Sequence, residues 1–405
     1  MKLGAILFKQ HIGKHFKKHW LVQGKKKILK TNAEQVLTKS GITIVKPEDV
    51  LEKTKIEKVE VVGMRPLRIK EDESHPNWHD KVLYTYKDDN VLLEGLHQAQ
   101  ILTKSVRIAE GLPTKYVTNS LTKEINSKVR NIILSAHVFD AEQQKLPKIK
   151  DPSRPAWNFP REYGITHERR NKLMTSKLLN LLETREEHDI VRNRFLLNDM
   201  YFSFPFTKDD NLIQFQITGD TLLVSQKPLP PVTDESTEEY QLPNLHPIHF
   251  TASLNEENIY ELENIYPLRK GIKPLHPHTL FIHHDRTMVK NLFEEEVADN
   301  QIHGRSLLKT FTVAASYAKQ QFGDDVGDLP SPVTVQSVQT DGRLFQFGVL
   351  QMNTLNLEDG EKKNIWYQTE QLPLFQVCKY DAGKPVLKGY NDEVVKNLIS
   401  FYNQC

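Results

Sequence analysis

The clearest hydrophobic pattern in the chain lies between Pro332 and Leu357. Two segments rich in β-branched and aromatic residues fold back at Gln339-Thr340-Asp341-Gly342-Arg343, where the Asp-Gly pair predicts a hairpin with a two-residue loop. On the second arm Phe345, Phe347 and Val349 share one face, and Leu344, Leu350 and Met352 lie mostly on the other. Neither face is polar, so the hairpin is expected to be covered on both sides. Just upstream, Leu307, Leu308, Phe311, Ala314, Ala315, Ala318 and Phe322 recur at helical spacing and stop at Gly323. A helix packed on this hairpin is the expected nucleus of the C-terminal half.

Elsewhere the pattern alternates between the two periods. Leu92, Leu93, Leu96, Ala99, Leu102, Val106 and Ala109 form a helical stripe over Asn90–Gly111, and Leu121, Ile125, Val129, Ile132, Ile133 and Ala136 form a second from about Ser120. Together they predict an αα unit. Lys172 to Leu197 reads as a long polar helix. Strands are expected at Tyr201–Phe206, Asn211–Thr218 and Thr221–Ser225, the last two joined through Gly219-Asp220, and again at Leu280–His283. Asn391-Asp392-Glu393 opens a closing helix to Tyr402. Gly41 to Asn90 holds only short extended pieces, Ile42–Val45 and Val59–Val62. The fold class is therefore α+β, with helices packed on a mixed or antiparallel sheet. Its expected parts are a basic segment (1–33), an extended N-terminal extension (34–90) and a body (91–405) with irregular proline-rich loops at 146–170 and 226–247.

Composition adds a partner to this picture. Counted with Gly and without Tyr, the apolar share is about 39%, below the ~45–50% of ordinary globular domains. Part of the chain is thus expected to lie on another molecule. Cys378 and Cys405 make no metal-spaced set and point to reduced thiols in a non-secretory compartment. No run of about 18 apolar residues occurs, which argues against a membrane span.

The net charge of +2 hides a strong asymmetry, because Met1 to Lys30 holds nine Lys and no Asp or Glu. Lys14, Lys17, Lys18, Lys25, Lys26, Lys27 and Lys30 are interleaved there with Phe8, Phe16 and Trp20. An import segment, an RNA-binding arm and a solvated tail all fit this pattern. His11, His15 and His19 would share a helical face, but no carboxylate nearer than Glu34 could orient them on a metal. In the 146–170 loop, Arg154, Trp157, Arg161, Arg169 and Arg170 alternate cations with aromatic rings. Such a pattern suits stacking on unpaired RNA bases with charge on phosphates, or else aromatic anchors holding the loop to its own domain.

Motifs of common enzymes are missing: there is no phosphate loop, dinucleotide-binding turn, nucleophile elbow or His-Glu-x-x-His. His276, His278, His283, His284 and Asp285 are the densest group of potential ligands or bases. Strand alternation would send His283 and His284 to opposite faces, so a shared metal ion is not expected. Neither a cofactor nor a catalytic residue is expected.

Three blocks carry a resemblance. Leu92-Leu93-Glu94-Gly95-Leu96 continuing through Gln98-Ala99 and Leu102-Thr103-Lys104 to Glu110-Gly111-Leu112-Pro113, then Pro277-His278-Thr279-Leu280, then Pro332-Val333 through Thr340-Asp341-Gly342-Arg343 to Asn353-Thr354 resemble the mitochondrial large ribosomal subunit protein thirty-seven family. The related subunit once called programmed-cell-death protein nine shares the broad pattern. The resemblance runs from about His75 to the C-terminus. It implies a structural component of the mitochondrial large ribosomal subunit, located in the matrix, that binds ribosomal RNA and neighbouring ribosomal proteins, that related subunit among them. A presequence would fall on Met1–Lys30, where the lack of Arg departs from the usual import signal. A matrix RNA-processing or RNA-modifying enzyme, with its site near His276–Asp285 or the Asp341 turn, is the alternative.

Overall fold

The computed structural model describes residues 32–45, 71–116, 120–146, 162–268, 275–285, 289, 291, 295–358 and 360–405. The chain divides after Arg68 into two compact units. In the first, Asn32–Lys39 forms helix α1, none of whose residues is buried. The expected piece Val59–Val62 lies outside the described residues.

The second unit is built on one ten-stranded sheet, in the order β2-β11-β10-β9-β8-β6-β1-β7, with β5 added on β6 and β12 on β10. The strands are β1 (Trp78–Tyr86), β2 (Ser105–Val106), β5 (Arg194–Lys208), β6 (Asn211–Ser225), β7 (Asn255–Ile259), β8 (His276–His283), β9 (Asp328–Thr340), β10 (Leu344–Thr354), β11 (Asn364–Gln368) and β12 (Leu372–Pro373). Small ladders off the sheet join β3 (Gln144–Lys145) to β4 (Tyr163–Gly164) and β13 (Val377–Asp381) to β14 (Lys384–Lys388). β1 with β6, β8 with β9 and β2 with β11 run parallel, and the remaining pairs antiparallel. The sheet is thus mixed, one of the two arrangements the α+β reading allowed. Among the described residues no helix is long and apolar enough to cross a membrane.

The hairpin of β9 and β10 is at the centre. Phe345 pairs with Thr340, which leaves Gly342-Arg343 as the two-residue loop. Only Gly342, at φ 87°, needs the left-handed region, so Gly occupies the first central position rather than Asp-Gly occupying both. The Asp341 carboxylate instead accepts from the backbone N–H groups of Arg343 (2.8 Å) and Leu344 (2.7 Å), an Asx cap on the turn.

Both faces of the hairpin are covered. Val333, Val335, Leu350 and Met352 face a core shared with helices α2 (Leu96–Leu102) and α6 (Asp299–Phe322). Val338, Phe345, Phe347 and Val349 face a second core, with α3 (Lys123–His137), α4 (His167–Arg185) and α7 (Glu393–Asn403). Every residue of α6 from Gln301 to Ala318 is buried, so its polar side chains must find partners inside. It ends at Gly323, φ 107°. Gly304 of α6 meets the start of α2 so closely that a Cβ would stand 2.6 Å from the Gly95 carbonyl.

Several expectations are corrected. The stripes at Asn90–Gly111 and from Ser120 do not form an αα unit. Only Leu96–Leu102 of the first is helical, and α2 and α3 lie on opposite faces because Ser105–Val106 joins the sheet edge between them. The polar helix begins at His167, capped by Thr166, and stops at Arg185. After the short helix α5 (His188–Arg192), Arg194 already starts β5. Gly219-Asp220 is no turn. Asn211–Ser225 is one strand, and the reversal comes at Asp209-Asp210, φ 47° and 62°, the backbone of a type I′ turn.

What Gly219-Asp220 marks is a change of phase. On β6, Ile213, Phe215 and Ile217 face the α6 core before it, and Leu222 and Val224 after it. On β5, Phe202 and Phe204 give way to Leu197 across Asp199, φ 52°. Both strands switch sides together, so the long ribbon keeps its apolar side inward.

The acidic stretch Gln226–Pro247 is irregular, as expected, yet it is tied to the hairpin. Val232 and Thr233 both donate backbone N–H groups to Gln351 Oε1 (2.6 and 3.0 Å), and Gln351 Nε2 returns a bond to the Thr233 carbonyl at 2.8 Å. Thr237 is buried and accepts from Lys363 N at 2.8 Å.

Candidate nucleic-acid interface

The basic-aromatic loop is closed at its base by local pairing. Leu146 N donates to the Glu162 carbonyl at 2.8 Å, continuing the ladder of Gln144 with Gly164 and Lys145 with Tyr163. Arg154, Trp157 and Arg161 lie outside the described residues, as do Lys14, Lys17, Lys18, Lys25, Lys26, Lys27 and Lys30. Beside the base, Tyr163 (69%) and Phe139 (56%) are strongly exposed rings. The expected motif did not include Phe139, which lies just after α3 and outside the 146–170 loop.

Arg169 and Arg170 sit in the first turn of α4. Thr166 accepts from Arg169 N at 3.4 Å and sets the helix start. The Arg169 guanidinium pairs through Nε with Asp140 and at 2.7 Å with Glu142. That hydrogen bond holds the Asp140 carboxyl below the usual carboxylate range. Arg170 is half-buried and reaches the Ile165 carbonyl at 3.4 Å. Burial lowers its affinity for the proton, opposed by Cys378, Asp341 and Asp285 nearby. Arg169 is therefore already spoken for by two carboxylates, and Arg170 looks inward toward the hairpin turn.

The histidine-rich strand β8 disperses its side chains. His276 Nδ1 lies 2.5 Å from the Tyr317 hydroxyl. His278 is wholly buried, donating from Nε2 to the Gln404 carbonyl at 3.0 Å, and burial pushes it down to about 3. His283 stands between Thr175 Oγ1 at 2.8 Å and Asp220 at 3.5 Å. Burial lowers the His283 value even though Asp220 opposes it. Asp285 faces His167 at 3.7 Å. These residues tie β8 to four different elements.

A buried ionic group was not anticipated. Lys309 Nζ, on α6, meets Asp88 at 2.6 Å and the Thr218 carbonyl at 2.8 Å, while Arg305 donates to the Asp88 carbonyl at 2.5 Å. Lys309 is 2% exposed, so it depends on these partners. The available signal was a pair of cations four apart inside an apolar helical run. The group pins the end of β1 and the phase change of β6 to α6.

One face is acidic. Asp234, Glu235, Glu238, Asp328 and Glu361, against the single cation Lys362, line an open cavity of about 690 Å³. Phosphate would be repelled there.

Comparison with known proteins agrees with the resemblance. A family model described as mitochondrial 28S ribosomal protein S30 (PDCD9) matches residues 267–404. Large ribosomal subunit protein mL37 of Rattus norvegicus is 30% identical over 304 residues, covering 73% of this chain and 67% of the relative. The Bos taurus protein of the same name is 29% identical over 351 residues, covering 82% of this chain and 77% of the relative, and that of Gallus gallus 28% over 327 residues, covering 77% and 71%. The family model spans only the C-terminal third and carries a small-subunit name, whereas these relatives match most of the chain. The chain belongs to the mitochondrial large ribosomal subunit protein mL37 family.

Proposed function

We propose that the protein is a structural constituent of the mitochondrial large ribosomal subunit, working in the matrix by binding ribosomal RNA and neighbouring ribosomal proteins, the related programmed-cell-death-nine-like subunit among them. The observation that carries this reading is the match to large-subunit proteins over nearly three quarters of the chain. Its role is to position rather than to catalyse, a reading supported by the ribosomal family of its relatives.

RNA contact is assigned to the basic segment with Lys14, Lys17, Lys18, Lys25, Lys26, Lys27 and Lys30, and to the loop with Arg154, Trp157 and Arg161. Arg169 and Arg170 fix the loop base beside Phe139 and Tyr163. In gradient sedimentation the protein should travel with large subunits, and recovery at the top of the gradient would defeat the reading. With roughly six phosphate contacts, RNA affinity should fall on the order of a thousandfold between 50 and 200 mM salt, and deletion of residues 1–30 should flatten that slope.

A further inference from the structure

β5 is an edge strand for much of its length. β6 pairs with it from Arg194 to Lys208, while β1 and β8 take the opposite side of β6. On the outer side of β5 an isolated bridge joins Ser203 to Ile265, with N–H to carbonyl bonds of 3.1 and 2.9 Å. Among the described residues, no strand pairs with the outer side from Phe195 to Tyr201. At ~3.4 Å per residue this is an edge of about 24 Å.

Natural edges of this length are commonly blunted by Lys, Pro, a bulge, an inward-pointing charge or a covering element; here Asp199, φ 52°, interrupts the edge once, and its side chain is exposed. The stretch Phe195-Leu196-Leu197-Asn198-Asp199-Met200-Tyr201 contains no Lys, Arg or Pro. It exposes Phe195 (38%), Leu196 (38%) and Tyr201 (42%). Outward backbone donors and acceptors flanked by apolar side chains suit an added strand.

Charge decides what kind of strand. Asp199 lies mid-edge, with Lys172 at 3.3 Å as a half-exposed partner. Beyond the Ser203 bridge, Glu261 and Glu263 are exposed on either side of Leu262. At the near end Glu187 and Asp189 outnumber Arg192. Lys172, the cation beside the mid-edge, is already shared by Asp199 and Glu168 at 3.3 Å each, which leaves a net negative charge there that disfavours RNA, and pairing with a second copy would bring Asp199 toward Asp199. We infer that Phe195–Tyr201 receives an extended segment of a neighbouring protein, apolar at alternate positions and carrying Lys or Arg toward Asp199 and Glu263.

Two measurements test this, and the second rests on the ribosomal reading. In the isolated full chain, the Phe195–Tyr201 amides that point outward should exchange with solvent faster than those of β9 by about a hundredfold or more. Slow exchange there means the edge is already covered and overturns the inference. With p-benzoylphenylalanine placed at Phe195, irradiated large subunits should yield an adduct to another polypeptide, at a peptide of alternating apolar residues with a Lys or Arg. An adduct to RNA, to a second copy of this chain, or none at all in particles that do contain the protein refutes the edge and leaves the ribosomal reading standing. Absence from the particle refutes that reading instead, and the exchange result then decides whether the edge is open.

Discussion

Gly348 of β10 lies directly beneath the Trp366 indole of β11, so close that a Cβ on Gly348 would stand 2.2 Å from Trp366 Cη2 and 2.7 Å from Ser337 Oγ. Trp366 is wholly buried, and its Nε1 donates to Gln368 Oε1 at 2.8 Å, so the ring has nowhere to move. Gly348→Ala should therefore overpack the sheet and cost about 3 kcal/mol in denaturant unfolding. A loss within ~0.5 kcal/mol would mean that the indole is not locked.

The buried Lys309 ammonium depends on Asp88. Replacing Asp88 by Asn removes the negative charge beside the cation and leaves it only neutral acceptors at close range, and breaking such a pair costs about 3 kcal/mol. The double variant Asp88→Asn with Lys309→Met should recover part of the loss, because no uncompensated charge remains. Equal loss in single and double variants would show that packing, not charge, holds α6 to the sheet.

Acid sensitivity should begin above the carboxylate range. Burial pushes His278 down to about 3 and His137 down to about 4, from ordinary values of 6.5. The unfolded chain takes up those protons first. The contribution of the neutral rings is thus complete above pH 6.5 and is lost progressively as pH falls from there toward 3 to 4. His278→Gln, which keeps a donor for the Gln404 carbonyl, should flatten the fall in urea midpoint between pH 6.5 and 5. An unchanged slope would remove His278 from the account.

Gln351 clamps the 226–247 loop through three bonds to Val232 and Thr233. Gln351→Leu should increase protease cleavage in Gln226–Pro247 while leaving the exchange protection of β8 and β9 unchanged. Loss of both together would mean that the loop and sheet unfold as one.

The central hairpin and α6 were legible because period-2 and period-3.6 signals are local, and their stop signals at Gly342 and Gly323 coincide with positive φ. Leu96 and Val129 illustrate the limit, since both sit on apolar stripes but on opposite faces of the sheet. Periodicity shows that a face is buried, not against what. Gly219-Asp220 misled for a related reason: a phase change and a turn both break alternation. Lys309 and Asp88 meet only through the tertiary fold, and the carboxylates beside Arg169 come from the connection after α3. Arg169 was readable as a residue, but the carboxylates that neutralise it were not.

Because Gln351 and Lys363 hold the 226–247 loop, the carboxylates of Asp234, Glu235, Glu238 and Glu239 are anchored to the sheet instead of trailing in solvent. A tethered polyanion on a mobile tail could swing aside from any partner, but one fastened to the body cannot. The molecule therefore carries a fixed sense of orientation, since a phosphate backbone would be repelled from this flank whichever way the rest of the chain turned.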